Sequence, residues 1–227
     1  GKTLTISIVG SGSTDVGATP AVTYKATTKQ PVTDRAGNQA GAKTFTGTAA
    51  LDGDGDGYAA ADCAPSDPAV HPGATDLPDA SFADTNCDGI DGDAANASFV
   101  AATGSGTTCT MAQPCATVQQ GIDTAATNGD RDVYVAAGTY ANGFFQMADG
   151  VSVYGGYDQA FLRASPQSPG HEATIQGVDG AAVTTASGNR TMTVTVAAEA
   201  LTQPTTLADL TLQGADSTTT AGGSMEA

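Results

Sequence analysis

CATVQQGIDTAATNGDRDVYVAAGTY, residues Cys115–Tyr140, is the stretch on which the fold turns. Thr117 followed three residues later by Gln120 has the form of a capping box, and Val118, Ile122, Ala125 and Ala126 then fall on one face of a short helix over about 117–127. Asn128-Gly129 supplies its stop. Directly afterwards the period changes. Val133 and Val135 alternate with Asp132 and Tyr134, the mark of a strand. Working outward toward the C-terminus, further short strands are expected at Val151–Tyr154, Ala173–Gln176, Met192–Val196 and Leu207–Leu212, each followed by small or turn-forming residues. Steps of about 16–23 residues suit a solenoid in which each turn covers its neighbour's open face.

These residues carry a resemblance. Val133-Tyr134-Val135-Ala136-Ala137-Gly138-Thr139-Tyr140, with the helix before it and Gly150–Asp158 (GVSVYGGYD) after it, resembles the opening of right-handed parallel β-helix proteins of the pectate-lyase-like superfamily. The resemblance covers about 110 residues and implies that the helix plugs the end of the solenoid. The chain is thus expected to be all-β, with residues 96–227 as the N-terminal part of such a β-helix. Leu207–Gly214 reads as a further turn, and the C-terminal end of the solenoid is expected to be uncovered after it.

Toward the N-terminus, residues 1–50 also read as strands. Leu4, Ile6 and Ile8 alternate with hydroxyl residues, and Ala21–Lys25 and Lys43–Thr46 are further strands split by the turn-rich DRAGNQAG. Asp34-Arg35-Ala36-Gly37-Asn38 before the last of them resembles the C-terminal half of bacterial immunoglobulin-like domains. Three or four strands fall short of the roughly seven of a sandwich. The expectation is a partial Ig-like β-sandwich over 1–50, cut from something longer or completed by a neighbouring molecule.

Between these two regions lies a segment of different chemistry. The whole chain of 227 residues carries a formal net charge of −16. Eleven carboxylates and no Lys or Arg fall between Asp52 and Asp93. Nucleic-acid binding runs on Lys and Arg neutralising phosphates, so that class is excluded, and docking on an anionic membrane is disfavoured for the same reason. No apolar run reaches the roughly 18–20 residues of a membrane helix. So dense an acidic run repels itself unless something cationic neutralises it.

The spacing says what that cation is. Asp52, Asp54 and Asp56 with Gly57 follow the first half of an EF-hand-type loop: alternate carboxylates aim at one centre, and glycine allows the turn that brings the carbonyl of Tyr58 inward. Asp62 stands where a later carboxylate closes the shell. Asp84, Asn86 and Asp88 with Gly89 repeat the pattern, with Ile90 as carbonyl donor and Asp91 and Asp93 as nearby closers. All-oxygen donors select a hard cation, so two or more Ca2+ ions are expected over 51–95, ahead of copper, for which only His71 stands nearby. The segment resembles a bacterial extracellular metal-binding repeat of the form DxDGDGY…DC…DP…PGA…NCDG, similar in logic to thrombospondin type 3 repeats. That resemblance implies Asp52, Asp54, Asp56, Asp84, Asn86 and Asp88 as its main acidic positions and Asp62, Asp67 and Asp76 as weaker ones. Asp79–Ala83 departs from its usual pattern.

Four cysteines, Cys63, Cys87, Cys109 and Cys115, with no CxxC pair argue for two disulfides and an oxidising compartment. Three pairings are open, of which nearest neighbours (63 with 87, 109 with 115) is the simplest. No Ser-, zinc- or phosphate-type catalytic motif occurs, and the acids and bases of 96–227 read as loop residues in water. The sequence-level expectation is a non-enzymatic, structural or adhesive segment of an extracellular bacterial surface protein, stabilised by Ca2+ and open to end-to-end assembly or contact with cell-surface polysaccharide. The alternatives are a carbohydrate-active enzyme with its catalytic turns elsewhere and a copper-binding surface protein.

Overall fold

The computed structural model describes residues 21–24, 43–46, 52–58, 62–141, 143–185 and 187–216. It divides into two compact units, Gly1–His71 and Pro72–Ala227. Strands dominate and one α-helix is present among the described residues, so the class is all-β.

In the first unit β1 (Ala21–Tyr24) pairs antiparallel with β2 (Lys43–Thr46), with Val22 opposite Phe45. Both strands fall where the sequence places them. The strand expected at Leu4–Val9 and the turn at Asp34–Asn38 lie outside the described residues.

The second unit opens with an acidic segment and a single 3-10 turn, Ala94–Asn96, which Asp93 caps by accepting the Ala95 N–H. Then follow β3 (Ala97–Val100) and α1 (Val118–Asn128). The chain continues through β4 (Asp132–Ala136), β5 (Gly138–Tyr140), β6 (Phe145–Gln146), β7 (Ser152–Tyr157) and β8 (Ala173–Gln176). A hairpin of β9 (Val178–Thr185) and β10 (Gly188–Val194) precedes β11 (Val196–Ala197), β12 (Leu207–Ala208) and β13 (Thr211–Gln213). Every pairing of these strands except the hairpin is parallel, and from β4 onward the chain passes the sheets in the same order: β4, β5 and β6 in a first turn, β7, β8 and β11 in a second, and β12 and β13 in a third. The sheet β12-β7-β4-β3, the sheet β13-β8-β5 and the pair β11-β6 are thus visited in rotation by successive turns of a winding chain, with β3 ahead of the first turn on the edge of the largest sheet. Where the sequence suggests single strands at Met192–Val196 and Leu207–Leu212, the chain bends and sends two strands to different faces. Strands β3, β5, β6 and β9 escaped the sequence reading.

The helix forms as its capping residue dictates. Thr117 accepts the Gln120 N–H and Gly129 ends the helix in the left-handed region. The Gln120 side chain reaches Gly106 O (3.2 Å) rather than closing the box. Val118, Gly121, Ile122 and Ala125 face the core, whereas Ala126 is exposed, because at about 100° per residue it falls at the edge of that stripe. Within the coil Val100, Val133, Val135, Phe145, Val153 and Ile175 pack under this helix. Beyond β3 the Cys109–Cys115 loop covers the sheet edge: Phe99 N–H donates to Cys109 O (2.7 Å) and Cys115 N–H to Phe99 O (2.9 Å).

A second apolar cluster lies on the outer face of the same sheet. Phe99, Tyr134, Tyr157 and Phe161 pack there with Ile90 of the acidic segment. Tyr134 and Tyr157 stack at 4.8 Å, and Phe161 meets Phe99 edge-on at 4.8 Å. All five residues of β4 are therefore buried. Residues 51–95 carry few apolar side chains, but Ile90 enters this cluster and is only 3% exposed.

Candidate functional site

The Asp52–Tyr58 loop is shaped by its own side chains. Asp52 accepts with both oxygens, one from the N–H of Gly55 (2.7 Å) and the other from that of Gly57 (3.0 Å), whereas Asp54 and Asp56 each use one oxygen, on the N–H groups of Asp56 (3.3 Å) and Tyr58 (2.8 Å). Gly57 takes φ +97, the left-handed turn for which the motif requires glycine. Carboxylate oxygens of Asp52, Asp54 and Asp56 then converge to within 4.8 Å of one another. Asp62 uses one oxygen on the Ala64 N–H (2.8 Å). The second oxygens of Asp54, Asp56 and Asp62 are buried and accept no hydrogen bond. Desolvation, helped by the charges of Asp56, Asp62 and Asp52, pushes the Asp54 carboxyl above its ordinary range, against the bond from the Asp56 N–H. A buried polar atom without a donor is costly, and these three oxygens carry that cost in the loop. Tyr58 is exposed and its ring stacks on His71 at 4.7 Å. Asp67 lies apart on the surface, with its carboxylate on the Ala69 N–H (3.1 Å).

In the other unit, the second loop repeats the scaffold. Asp84 accepts from Asp88 N (3.1 Å) and Gly89 N (2.8 Å), Asn86 Oδ1 from Asp88 N (2.9 Å), and Asp88 from Ile90 N (3.2 Å). Gly89 takes φ +103, matching Gly57. The inward atoms differ. The remaining Asp88 oxygen accepts the Asn86 amide (3.0 Å) and the Ala94 N–H (2.8 Å), and the Asn86 amide also reaches Gly92 O (3.1 Å). Asp76 is buried and accepts the N–H groups of Thr85 (3.1 Å) and Gly92 (3.2 Å); burial pushes its carboxyl up. Asp93 caps the 3-10 turn, and its own N–H donates to Tyr134 Oη (2.8 Å). Asp91 points away from the loop, toward Arg163.

Cys109 pairs with Cys115, and Cys63 and Cys87 are each disulfide-bonded as well. The nearest-neighbour expectation therefore holds at 109–115, and no cysteine is free.

Two features were missed in the sequence. Arg163 is not a loop residue in water but a buried cation, paired with Asp91 (2.6 Å) and with Asp209. Asp132, the first residue of β4, is 4% exposed; burial pushes its carboxyl up to about 6, with Arg131 and the Tyr134 hydroxyl opposing. It lies in a groove of about 540 Å³ lined by Leu77, Arg131, Ser152, Tyr154 and Gln203. Neither burial has a local sequence signal, since each depends on chain segments tens of residues away. No family model, curated protein or solved structure matches this chain.

Proposed function

We propose that this chain is a Ca2+-stabilised structural segment of an extracellular bacterial surface protein, in which an acidic ion-binding loop and part of an Ig-like module precede a parallel β-helix. The observation that carries the ion is the set of buried, hydrogen-bond-free oxygens of Asp54, Asp56 and Asp62 beside Asp52. Three or four carboxylates and a carbonyl suit a hard cation of high coordination number, and no His or thiol is among them. The ion would be held by Asp52, Asp54, Asp56 and Asp62 and would neutralise charge that otherwise repels itself. The parallel pairing of strands visited in rotation by successive turns supports the β-helix reading. Disulfides fit an oxidising compartment, and no helix among the described residues is long and apolar enough to cross a membrane. A structural rather than catalytic role accords with the acids in these loops being engaged in shaping the backbone.

Calcium titration by calorimetry, with limited proteolysis before and after EDTA, tests this reading. Binding of Ca2+ that is abolished by Asp54→Asn with Asp56→Asn, together with faster cleavage at 52–58 in EDTA, is expected. Identical digestion with and without EDTA and no heat of binding would sink it.

One observation favours polysaccharide contact as a second reading. The groove over Asp132 and Ser152 combines a half-buried aromatic ring at Tyr154 with carboxyl, guanidinium and amide groups. A screen of neutral and acidic oligosaccharides against wild type and Tyr154→Ala decides it.

A further inference from the structure

We infer that residues 76–93 are a strap whose seating on the coil depends on the coil's third turn, because one guanidinium, Arg163, is shared between Asp91 of the strap and Asp209 of that turn. The inference concerns Pro72–Ala227 alone and holds whether or not the first acidic loop takes an ion.

Arg163 lies in the connection between β7 and β8 and is 8% exposed. Every arm of its fork is used. Nη1 donates to Asp91 Oδ2 (2.6 Å) and to Asp79 O (2.6 Å), both on the strap. Nε donates to Gly155 O (3.2 Å) on β7, in the second turn. Nη2 donates to Asp209, in the bend between β12 and β13 of the third turn. The strap's Phe82 ring lies 5.2 Å from the guanidinium carbon, and Tyr157 lies 5.7 Å away on the other element. A planar, permanently charged group with fixed donor directions holds this geometry only while both carboxylates are in place.

The backbone around Arg163 points the same way. Phe82, Phe161 and Asp209 have φ of 55°, 63° and 59°, left-handed values that side chains other than glycine rarely adopt. All three surround Arg163: one stacks on it, one lies two residues before it, and one pairs with it. Such conformations persist where surrounding contacts over-determine them. Strap, second turn and third turn are thus each bent to meet one cation. The strap also closes on the sheet through backbone groups: Tyr157 Oη donates to Asp91 O (2.7 Å), and the Asp93 N–H donates to Tyr134 Oη. Gly92, at φ +118, passes so close to the Tyr134 hydroxyl that any Cβ would collide with it.

Among the described residues, Asp209 is tied to the strap through its ion pair with Arg163, which makes it the informative position. Its side chain is 30% exposed, so Asp209→Asn removes the charge without burying a defect. The experiment is amide hydrogen exchange on the full chain, read at Asp93, whose N–H bonds Tyr134 across the seam. Asp209→Asn, a change in the third turn, is expected to speed exchange at Asp93 by about five- to tenfold while Gly121 of α1 keeps its rate. Arg163→Lys, which keeps the charge but not the fork, is expected to do the same. Unchanged exchange at Asp93 in Asp209→Asn would overturn the proposal, since the strap would then be held by the second turn alone. Running both variants in Ca2+ and in EDTA separates this result from ion binding: the ratio between variant and wild type is expected to be equal in the two buffers, and a ratio seen only in Ca2+ would also overturn it.

Discussion

The loops at 52–58 and 84–90 start from one recipe and reach different ends. Both use acids or Asn at alternate positions, each accepting the N–H two residues on or beyond, and both turn at a left-handed glycine. In the first, the carboxylate oxygens left over are buried and without donors. In the second, an amide and a backbone N–H already occupy the Asp88 oxygen, and the next residues belong to a core: Ile90 enters the aromatic cluster and Asp91 meets Arg163. One spacing motif therefore shapes the backbone of both loops, while the atoms at the centre and the flanks differ: the first keeps unused carboxylate oxygens and the second is packed into a neighbouring sheet.

The contrast can be broken most forcefully at Arg163. Arg163→Met leaves Asp91 buried and unpaired and is expected to lower the stability of Pro72–Ala227 by about 3–5 kcal/mol, seen as a lower urea midpoint that added Ca2+ does not restore. Ile90→Ala should cost about 2–4 kcal/mol by the same measure, with calorimetric Ca2+ affinity at the first loop unchanged. A loss of ion affinity in that variant would dissolve the distinction between the loops.

Acidity sharpens the picture next. Burial raises the folded-state pKa of Asp132 to about 6, above the value of about 3.9 expected when unfolded. The group's contribution to stability is then full below about pH 4 and lost as the pH rises through about 6. Asp132→Asn should flatten the fall in stability across that window, a change of about 2–3 kcal/mol, followed by denaturation at several pH values. Asp76 and Asp91, raised by desolvation, act in the same direction. The smallest expected effect is at the first loop. Asp54→Asn should weaken Ca2+ binding on the order of tenfold and leave the urea midpoint of the coil where it was.

What could be read from the sequence was whatever repeats locally. The helix cap at Thr117 and the alternation at Val133 and Val135 need only neighbouring residues, and each stands where it was expected. Strand lengths and the number of faces were harder, because Val194 and Val196 lie two residues apart yet belong to different pairings. The side chain of Ile90 was overlooked for a physical reason: its place in an ion-loop pattern draws attention to its carbonyl, and its apolar partners lie on three other elements. Arg163 escaped notice because its partners are 72 and 46 residues away.

The hairpin β9–β10 leaves the coil at Gly177 and rejoins it at Thr195, and both feet bond one acceptor: Gln213 O takes the Gly177 N–H (2.8 Å) and the Thr195 hydroxyl (3.1 Å). The winding is thereby closed at the base of the arm, independently of whatever the arm carries. Its tip at Ser187-Gly188 is exposed. Peptide spliced in at that tip would sit at the exposed end of a hairpin whose Ala181 and Val183 are buried, so the insertion would leave the inner strand and the winding in place.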